Sequence, residues 1–334
     1  MTNKSSTASY LSVAMTSTGM TENTGENTMA PSPPRGFEFY VHCATMIMGG
    51  LGTAFNGLVI YALVASKQHK KYILIFHQNV IDFFACFSLM VVHFLRLFNI
   101  YLTGSVGYWL CLLLFTNVLF SWGHVGSIIT LATISIDRYL KIVHSAWSNK
   151  ILRNRMVYYL AMIIAWIVSF ASVVPVLSSS VVIDGMCVSY MILDKTITLI
   201  YFMWHFLSFY VLILFIFIFC YWSIVVVIRR QARVMAGHSA AGSSAAQVQS
   251  NSARNNVIMT MILVSVLYAL SHFPGYICFL LFNMYPYPLP LENFFYGAAF
   301  LEYSYVCISN PLVYAANFNP VKTTILRMIR PQDT

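Results

Sequence analysis

Asp137-Arg138-Tyr139 places an acid, a base and a phenol side by side at the end of a long apolar run. The run from Trp109 to Ile136 contains no Asp, Glu, Lys or Arg. As a helix it would measure about 42 Å, which is enough to cross a bilayer obliquely. The triplet therefore marks a point where charge meets the aqueous phase at one face of a membrane, and where a partner could be sensed.

The composition is that of an integral membrane protein. The chain has 334 residues, of which 59% are hydrophobic and 9% are charged, whereas soluble domains carry about 25% charged residues. The net charge of +9 indicates basic loops that face anionic membrane lipid, and it does not indicate a nucleic-acid partner. The cysteines are scattered, and Cys and His lack the close spacing of metal motifs, so no metal site is predicted.

Seven apolar segments are long enough to cross a membrane. We refer to them as spans 1 to 7, and they cover residues 38–65, 72–99, 107–136, 156–178, 196–228, 256–283 and 291–316. Lys and Arg concentrate in alternate loops, which predicts that those loops are cytoplasmic and that the N-terminus is extracellular. The expected fold class is an all-α membrane protein with a seven-transmembrane helix bundle.

Three regions are expected along the chain. Residues 1–36 are rich in Ser, Thr, Asn and Met and are predicted to form a disordered extracellular tail. Residues 37–318 form the bundle, and residues 319–334 form a short amphipathic helix on the inner membrane surface, here called helix 8, and a cytoplasmic tail. Asn3-Lys4-Ser5 is a glycosylation acceptor pattern, although one so close to the terminus could go unused.

Several spaced motifs resemble those of the rhodopsin-like (class A) G-protein-coupled receptors. Asp137-Arg138-Tyr139 ends span 3 and Asn310-Pro311-Leu312-Val313-Tyr314 ends span 7, and the resemblance covers about residues 36–330. The single-residue markers of spans 1, 2 and 4 are present as Asn56, Asp82 and Trp166. The resemblance implies a plasma-membrane receptor, not an enzyme, that binds an extracellular ligand and activates a heterotrimeric G protein. A multi-span transporter is the alternative, and the lack of an internal repeat counts against it.

The resemblance assigns Arg138 to G-protein coupling. At rest Arg138 would pair with Asp137, and on activation it would turn inward as spans 5 and 6 open. Tyr221 and Tyr314 would stabilise the active form, although Tyr221 could equally be an interfacial anchor. Arg254 stands where many relatives carry an acid that clamps this Arg, so raised basal signalling is expected. The implied activation switch comprises Asp137, Arg138, Tyr139, Tyr221, Asn310, Pro311 and Tyr314.

The position of Asp82 in span 2 binds a sodium ion in the resembling family. A Ser from span 3 and an Asn from span 7 lie nearby in that family, and these positions are Ser127 and Asn310 here. A carboxylate inside an apolar span is costly, so it is a functional candidate. The alternative is that Asp82 is only hydrogen-bonded to Asn56 and Asn310. No other cofactor is expected.

The resemblance also implies a disulfide between Cys111 and Cys187, which both fall on the oxidising side. Three features depart from the family pattern. Cys111 stands 27 residues before Arg138, two more than the commonest spacing. Ile213 replaces the usual proline of span 5, and His272 replaces the Trp that commonly senses the ligand in span 6.

A ligand pocket is expected at the outer ends of the spans. Phe120 occupies the position at which aminergic receptors carry an Asp, which argues against a monoamine. Span 7 contains no Lys, which excludes a retinal Schiff base. A peptide or a small neutral or acidic molecule is therefore expected, and Arg96 either pairs with its anionic group or extends to the outer interface. The predicted lining is Phe120, His124, His205, His272, Phe273, His93, Arg96 and Asn117.

Three histidines of spans 3, 5 and 6 map near this pocket, namely His124, His205 and His272. Imidazole titrates close to physiological pH. A cluster of the three would make signalling sensitive to protons or metal ions, whereas separate histidines would each be neutral and hydrogen-bonded inside the bundle.

Overall fold

A computed structural model describes residues 36–98, 100–189, 195–238, 245–284 and 292–329 of the chain. Its dominant feature is a bundle of long helices, which confirms the predicted all-α seven-span architecture. Four spans are single helices, with spans 1, 2, 4 and 6 running over Phe37–Ala65, Ile73–Arg96, Met156–Ser178 and Ala245–Met284.

The other three spans each combine α-helix with a π-helical turn. Span 3 consists of Gly104–Leu110, the π-helical turn Cys111–Phe115 and Val118–Val143. Span 5 consists of Lys195–His205, the turn Phe206–Val211 and Leu212–His238. Span 7 consists of Glu292–Ser304, the turn Tyr305–Ser309 and Asn310–Asn317. A π-helical turn widens the helix and shifts the faces that its flanking segments present.

Six helices within the described ranges are long and apolar enough to cross a membrane, and they correspond to spans 1 to 6. Their outer faces carry large exposed apolar side chains, such as Phe215, Ile218 and Trp222 of span 5, which are 66 to 71% exposed. A continuous apolar surface of this kind is unfavourable in contact with water, so these helix faces contact lipid. Span 7 packs against spans 1, 2 and 6 and completes the bundle.

The extra residues in span 3 are accommodated by its π-helical turn and by a break that follows it. Asn117 has a φ of 56°, in the left-handed region that Asn tolerates better than most residues. The second helical segment then begins at Val118. The unusual spacing between Cys111 and Arg138 is therefore taken up locally, near the outer end of the span.

Span 5 keeps a π-helical turn although it lacks the proline of the resembling family. The Tyr268 hydroxyl of span 6 donates to the Phe209 carbonyl within this turn. The Tyr210 hydroxyl donates in the other direction, to the Ala269 carbonyl at 3.2 Å. The two bonds join spans 5 and 6 through backbone groups that are near the turn.

Shorter elements cover the two ends of the bundle. On the outer side, β1 (Ser180–Ile183) pairs antiparallel with β2 (Met186–Ser189). On the opposite side, a short helix Ser145–Ile151 follows span 3. Helix 8 occupies Asn319–Ile329 and buries Val321 against the core; its position on the membrane surface is a prediction.

Two predicted regions are not confirmed by the structure. The predicted extracellular tail with its acceptor Asn3 lies outside the described residues, apart from Gly36. The low complexity of segment 231–255 predicts a mobile loop, but helix continues in it to His238 and begins again at Ala245.

Candidate functional site

Asp137 at the inner end of span 3 is held mainly by side chains other than Arg138. Lys141 Nζ lies 2.8 and 2.9 Å from the two carboxylate oxygens. The Tyr158 hydroxyl of span 4 donates to Oδ1 at 2.9 Å. Arg138 Nε is 3.9 Å from Oδ2, which is beyond hydrogen-bond distance. The expected Asp137–Arg138 pair is therefore only a long ionic contact, because Lys141 and Tyr158 already occupy the carboxylate.

Arg138 has an incompletely satisfied guanidinium group. Its Nε is buried and has no hydrogen-bond partner among the described residues. A cavity of about 170 Å³ lies next to it. The basic side chains that line this cavity are Lys70, Lys71, Arg138, Lys141, Arg153 and Arg155, with Asp137 as the acid. The cavity is thus suited to a partner that brings acidic or carbonyl groups.

The tyrosines of the predicted switch lie in two separate contacts. The buried Tyr221 hydroxyl lies 2.7 Å from Ser135 Oγ of span 3, and Ser265 of span 6 donates to it at 3.4 Å. Tyr314 is fully buried and donates to Gln78 Oε1 of span 2 at 2.9 Å. Tyr221 therefore joins spans 3, 5 and 6 close to Arg138, whereas Tyr314 joins spans 2 and 7.

Two further members of the predicted switch lie at helix ends. Asn310 and Pro311 begin the last helical segment of span 7, where a proline is tolerated because the first N–H groups of a helix have no partner within it.

The Tyr139 hydroxyl lies 3.1 Å from His144 Nε2, in the turn that leads to the short helix Ser145–Ile151. Tyr139 thus supports the turn after span 3.

Asp82 lies fully buried in the middle of the bundle. Asn310 Nδ2 donates to its Oδ2 at 3.0 Å, and Ser127 is close enough to hydrogen-bond with it. The Oδ1 atoms of Asp82 and Asn310 are buried and have no partner among the described residues. Asn56 instead donates to the Gly52 carbonyl at 2.9 Å. The structure therefore brings together Asp82, Ser127 and Asn310, and leaves oxygen atoms unsatisfied there.

Arg96 contacts the break in span 3. Its Nη2 donates to the Phe115 carbonyl at 2.6 Å, at the end of the π-helical turn. Asn117, two residues further on, has a buried Oδ1 without a partner among the described residues. Arg96 thus binds the last carbonyl of the π-helical turn, and its charge stays near the outer end of the bundle.

His124, His272 and Glu302 meet in the interior. His124 Nε2 lies 3.0 Å from His272 Nε2 and 3.1 Å from Glu302 Oε1. His205, the third histidine of the expected cluster, instead lies 3.4 Å from the Ser172 carbonyl of span 4. The third member of this group is therefore Glu302 of span 7, and His205 lies outside it.

The remaining pocket residues lie in different surroundings. Phe120 is stacked on His124 with ring centroids 5.6 Å apart. His93 Nδ1 lies 3.1 Å from His42 Nδ1 of span 1, near the ring of Tyr303. Phe273 is 53% exposed on the surface of span 6, so it faces lipid and not the histidines. Phe120 is the aromatic residue closest to the histidine pair from the outer side.

The disulfide between Cys111 and Cys187 is present, as predicted. It joins the outer end of span 3 to β2 of the outer hairpin, with a sequence separation of 76 residues. Leu102 N donates to the Gly185 carbonyl at 3.0 Å and adds a second link to the hairpin. The hairpin is thereby fixed to the outer end of span 3.

Glu302, Lys141 and Tyr158 belong to these contacts but were not among the predicted site residues. Glu302 stands out in the sequence as an acid within an apolar span, which is costly, but the sequence suggests a partner in span 1 or 2 and not His124 of span 3. Lys141 follows Asp137 by four residues, which is the spacing of helical ion pairs. Tyr158 gives no such signal in the sequence, because its contact with Asp137 depends on how spans 3 and 4 pack.

Comparison with known proteins agrees with this arrangement. Residues 55–314 match the family described as 7 transmembrane receptor (rhodopsin family). Human CX3C chemokine receptor 1 is 34% identical over 113 residues, which cover 34% of this chain and 30% of that receptor. The matched segment is thus about a third of this relative's length.

A solved structure extends the comparison to the whole fold. The crystal structure of squid rhodopsin matches with a TM-score of 0.68, covering 87% of this chain and 85% of rhodopsin. The sequence identity is 19%, so this likeness concerns the fold alone. The family match covers most of the chain and includes the segments that carry Asp82, Arg138 and Asn310. The chain is therefore a multi-pass membrane protein that belongs to the rhodopsin family of seven-transmembrane receptors.

Proposed function

We propose that this receptor binds a peptide or a small neutral or acidic molecule from outside the cell and activates a heterotrimeric G protein. Activation proceeds through Arg138 and the separation of the inner ends of spans 5 and 6. In this proposal the chain lies in the plasma membrane, with residues 1–36 outside and residues 319–334 inside. Asn3 is a candidate glycosylation site on the outer tail.

The observation that carries the proposal is the state of Arg138. Its Nε has no hydrogen-bond partner among the described residues, while Asp137 is bonded to Lys141 and Tyr158. An always-charged guanidinium group with free donors beside a basic cavity is suited to receive a partner's carbonyl or carboxylate groups. The long Asp137–Arg138 contact also supports raised basal activity, because little holds Arg138 in place.

The side chain of Arg254 lies outside the described part of the structure. The sequence position alone supports the absence of an acidic clamp in span 6. For the ligand, the charge of Arg96 near the outer end supports a molecule with an anionic or carbonyl group. Phe120 and the rings around it favour a ligand with apolar surface.

Nucleotide exchange on G proteins tests this function without a known ligand. Membranes that contain the receptor should increase the binding of a non-hydrolysable GTP analogue to at least one of a panel of purified G proteins. Matched membranes without the chain are the control. Solute flux into vesicles without any nucleotide exchange would contradict the proposal and support the transporter alternative.

We further propose that sodium binds between spans 2, 3 and 7. Asp82 and Asn310 each have a buried Oδ1 without a partner among the described residues, and Ser127 lies beside Asp82. Hard cations are bound by oxygen ligands of this kind, so these residues fit the ion. A sodium ion would also neutralise a carboxylate whose burial in the membrane is costly.

Sodium should raise the melting temperature of the solubilised receptor relative to the same concentration of potassium. At about ten times its dissociation constant the ion contributes about 1.4 kcal/mol, which is a shift of a few degrees for a protein of this size. Asp82→Asn should remove this shift, because the amide carries no charge to attract the ion. Asp184→Asn, which removes a carboxylate from the outer turn, should retain it. An unchanged sodium effect in Asp82→Asn would contradict the site.

A further inference from the structure

We propose that His124, His272 and Glu302 form a zinc site between spans 3, 6 and 7. The ligand atoms of the three residues all lie within 4.8 Å of one another. Zinc is bound by histidine nitrogen and carboxylate oxygen at about 2.0 to 2.2 Å, which sets ligand atoms about 3.3 Å apart around a tetrahedral ion. The two contacts of His124 Nε2, at 3.0 and 3.1 Å, are close to that separation.

The tautomer of His272 leaves one ring nitrogen unprotonated, and the lone pair of this nitrogen faces the site. Its Nδ1 lies 2.9 Å from the Tyr268 carbonyl, an oxygen that can only accept a hydrogen bond. Ser271 Oγ also lies 2.9 Å from Nδ1, but it donates its own proton to the Tyr268 carbonyl at 3.1 Å, so it accepts from Nδ1. Nδ1 therefore carries the proton, and Nε2 has the free pair that faces His124 and Glu302. A histidine ligand whose second nitrogen donates to a backbone carbonyl is the usual arrangement in metal sites, because it fixes the ring orientation.

Without a metal ion the polar atoms of the site are poorly matched. His124 Nε2 faces both the His272 lone pair and a Glu302 carboxylate oxygen, and a single N–H cannot form a good hydrogen bond with each. A divalent cation would bind His124 Nε2, His272 Nε2 and the Glu302 carboxylate together. It would also neutralise the Glu302 carboxylate within the bundle.

The surroundings hold the two histidine ligands in place. Phe120 stacks on the His124 ring. The rings of Tyr268 and Tyr305 pack against His272 at centroid distances of 4.2 and 5.3 Å. Ligands whose rotamers are fixed by packing lose little freedom when they bind a metal.

The three ligands differ in exposure. The side chain of Glu302 is 32% exposed, whereas those of His124 and His272 are almost completely buried. The second carboxylate oxygen of Glu302 lies over Gly275, where an added Cβ would be 3.6 Å away. Three protein ligands also leave a fourth position for water or for a donor group of a bound molecule. Imidazole ligands favour zinc over calcium or magnesium.

Zinc binding would join span 6 to spans 3 and 7. This consequence rests on the proposed function, in which span 6 separates from the bundle during activation. A bound ion would hold the three spans in the arrangement seen here, so it would change agonist-free nucleotide exchange. The binding of the ion itself does not depend on G-protein coupling, and it can be measured separately.

Zinc titration of the purified full-length receptor tests the site. The receptor should carry no polyhistidine tag and should first be stripped with a chelator, and a competing fluorescent zinc indicator then reports affinity and stoichiometry. We expect one ion per receptor. The substitutions His124→Gln, His272→Gln and Glu302→Gln should each weaken binding by at least about 100-fold, because loss of supporting residues alone costs 10- to 100-fold.

Two other histidines provide matched controls. His77→Gln removes a partly buried histidine of span 2 that accepts from Trp166, and His93→Gln removes a member of the His42–His93 pair. Both variants should bind zinc as the parent chain does. Loss of binding in His93→Gln but not in His272→Gln would assign the ion to the other pair and overturn the proposal.

Cobalt provides a second readout that does not depend on affinity alone. Co²⁺ in a tetrahedral nitrogen and oxygen site absorbs visible light much more strongly than the octahedral ion in water, and Glu302→Gln should reduce or shift this absorption. The metal-free melting temperature of each variant shows whether it is folded. No zinc binding by the folded parent chain would refute the site. Zinc binding without any nucleotide exchange would refute only the proposed signalling function.

Discussion

An Arg138→Ala receptor is expected to lose agonist-free activation of G proteins while it reaches the cell surface in normal amounts. The expected loss in nucleotide exchange is about 5- to 150-fold, the range of a typical coupling free energy between two sites. The substitution removes the guanidinium group that faces the basic cavity but leaves Asp137 bonded to Lys141 and Tyr158. The carboxylate is therefore not left unpaired, and the fold should be retained.

Two further variants make the Arg138 test specific. Arg138→Lys keeps the positive charge but loses the planar set of donors, so it should retain only part of the activity. Arg327→Ala removes an arginine from helix 8 and should leave nucleotide exchange and surface amount unchanged. Equal exchange by Arg138→Ala and the parent chain, at equal surface amounts, would show that Arg138 is not the coupling residue.

A Gly49→Ala receptor is expected to be markedly less stable than the parent chain. An added Cβ at this position of span 1 would lie 2.7 Å from the Met90 backbone nitrogen and 2.8 Å from the Cys86 carbonyl of span 2. These are backbone atoms, so the two spans must separate to accommodate it. Overpacking of this kind costs about 1 to 3 kcal/mol, which corresponds to a decrease of several degrees in the melting temperature.

The neighbouring glycine of span 1 provides the control for Gly49. An added Cβ at Gly50 would lie 3.5 Å from Met90 Sδ, an ordinary contact with the end of a flexible side chain. Gly50→Ala should therefore leave the melting temperature of the solubilised receptor nearly unchanged. If Gly49→Ala and Gly50→Ala have the same melting temperature, close helix packing at Gly49 does not limit stability.

The positions of the spans followed from local properties of the sequence. A segment that crosses a bilayer must be apolar along its length and must satisfy its backbone hydrogen bonds within one helix. Both requirements can be recognised without knowledge of any other segment. For this reason the predicted ends of spans 1 and 4 lie within a residue of Phe37–Ala65 and Met156–Ser178.

The helix faces could not be derived in the same way. The π-helical turns in spans 3, 5 and 7 rotate each outer segment relative to the inner one. The sequence left open whether His205 joins His124 in a cluster; it lies against span 4, and Glu302 lies beside His124. A helical pattern in one span gives the face of a residue only when the helix is regular.

The sequence by itself determined the membrane class, the seven spans and the markers of the rhodopsin family, including Arg138 and the Cys111–Cys187 pair. Only the tertiary structure decided the contacts that the family markers do not assign. It brought Tyr158 to Asp137 and Glu302 to His124. The physical reason is that burial in a span is a property of one segment, whereas a contact between spans depends on the rotation and distance of two helices together.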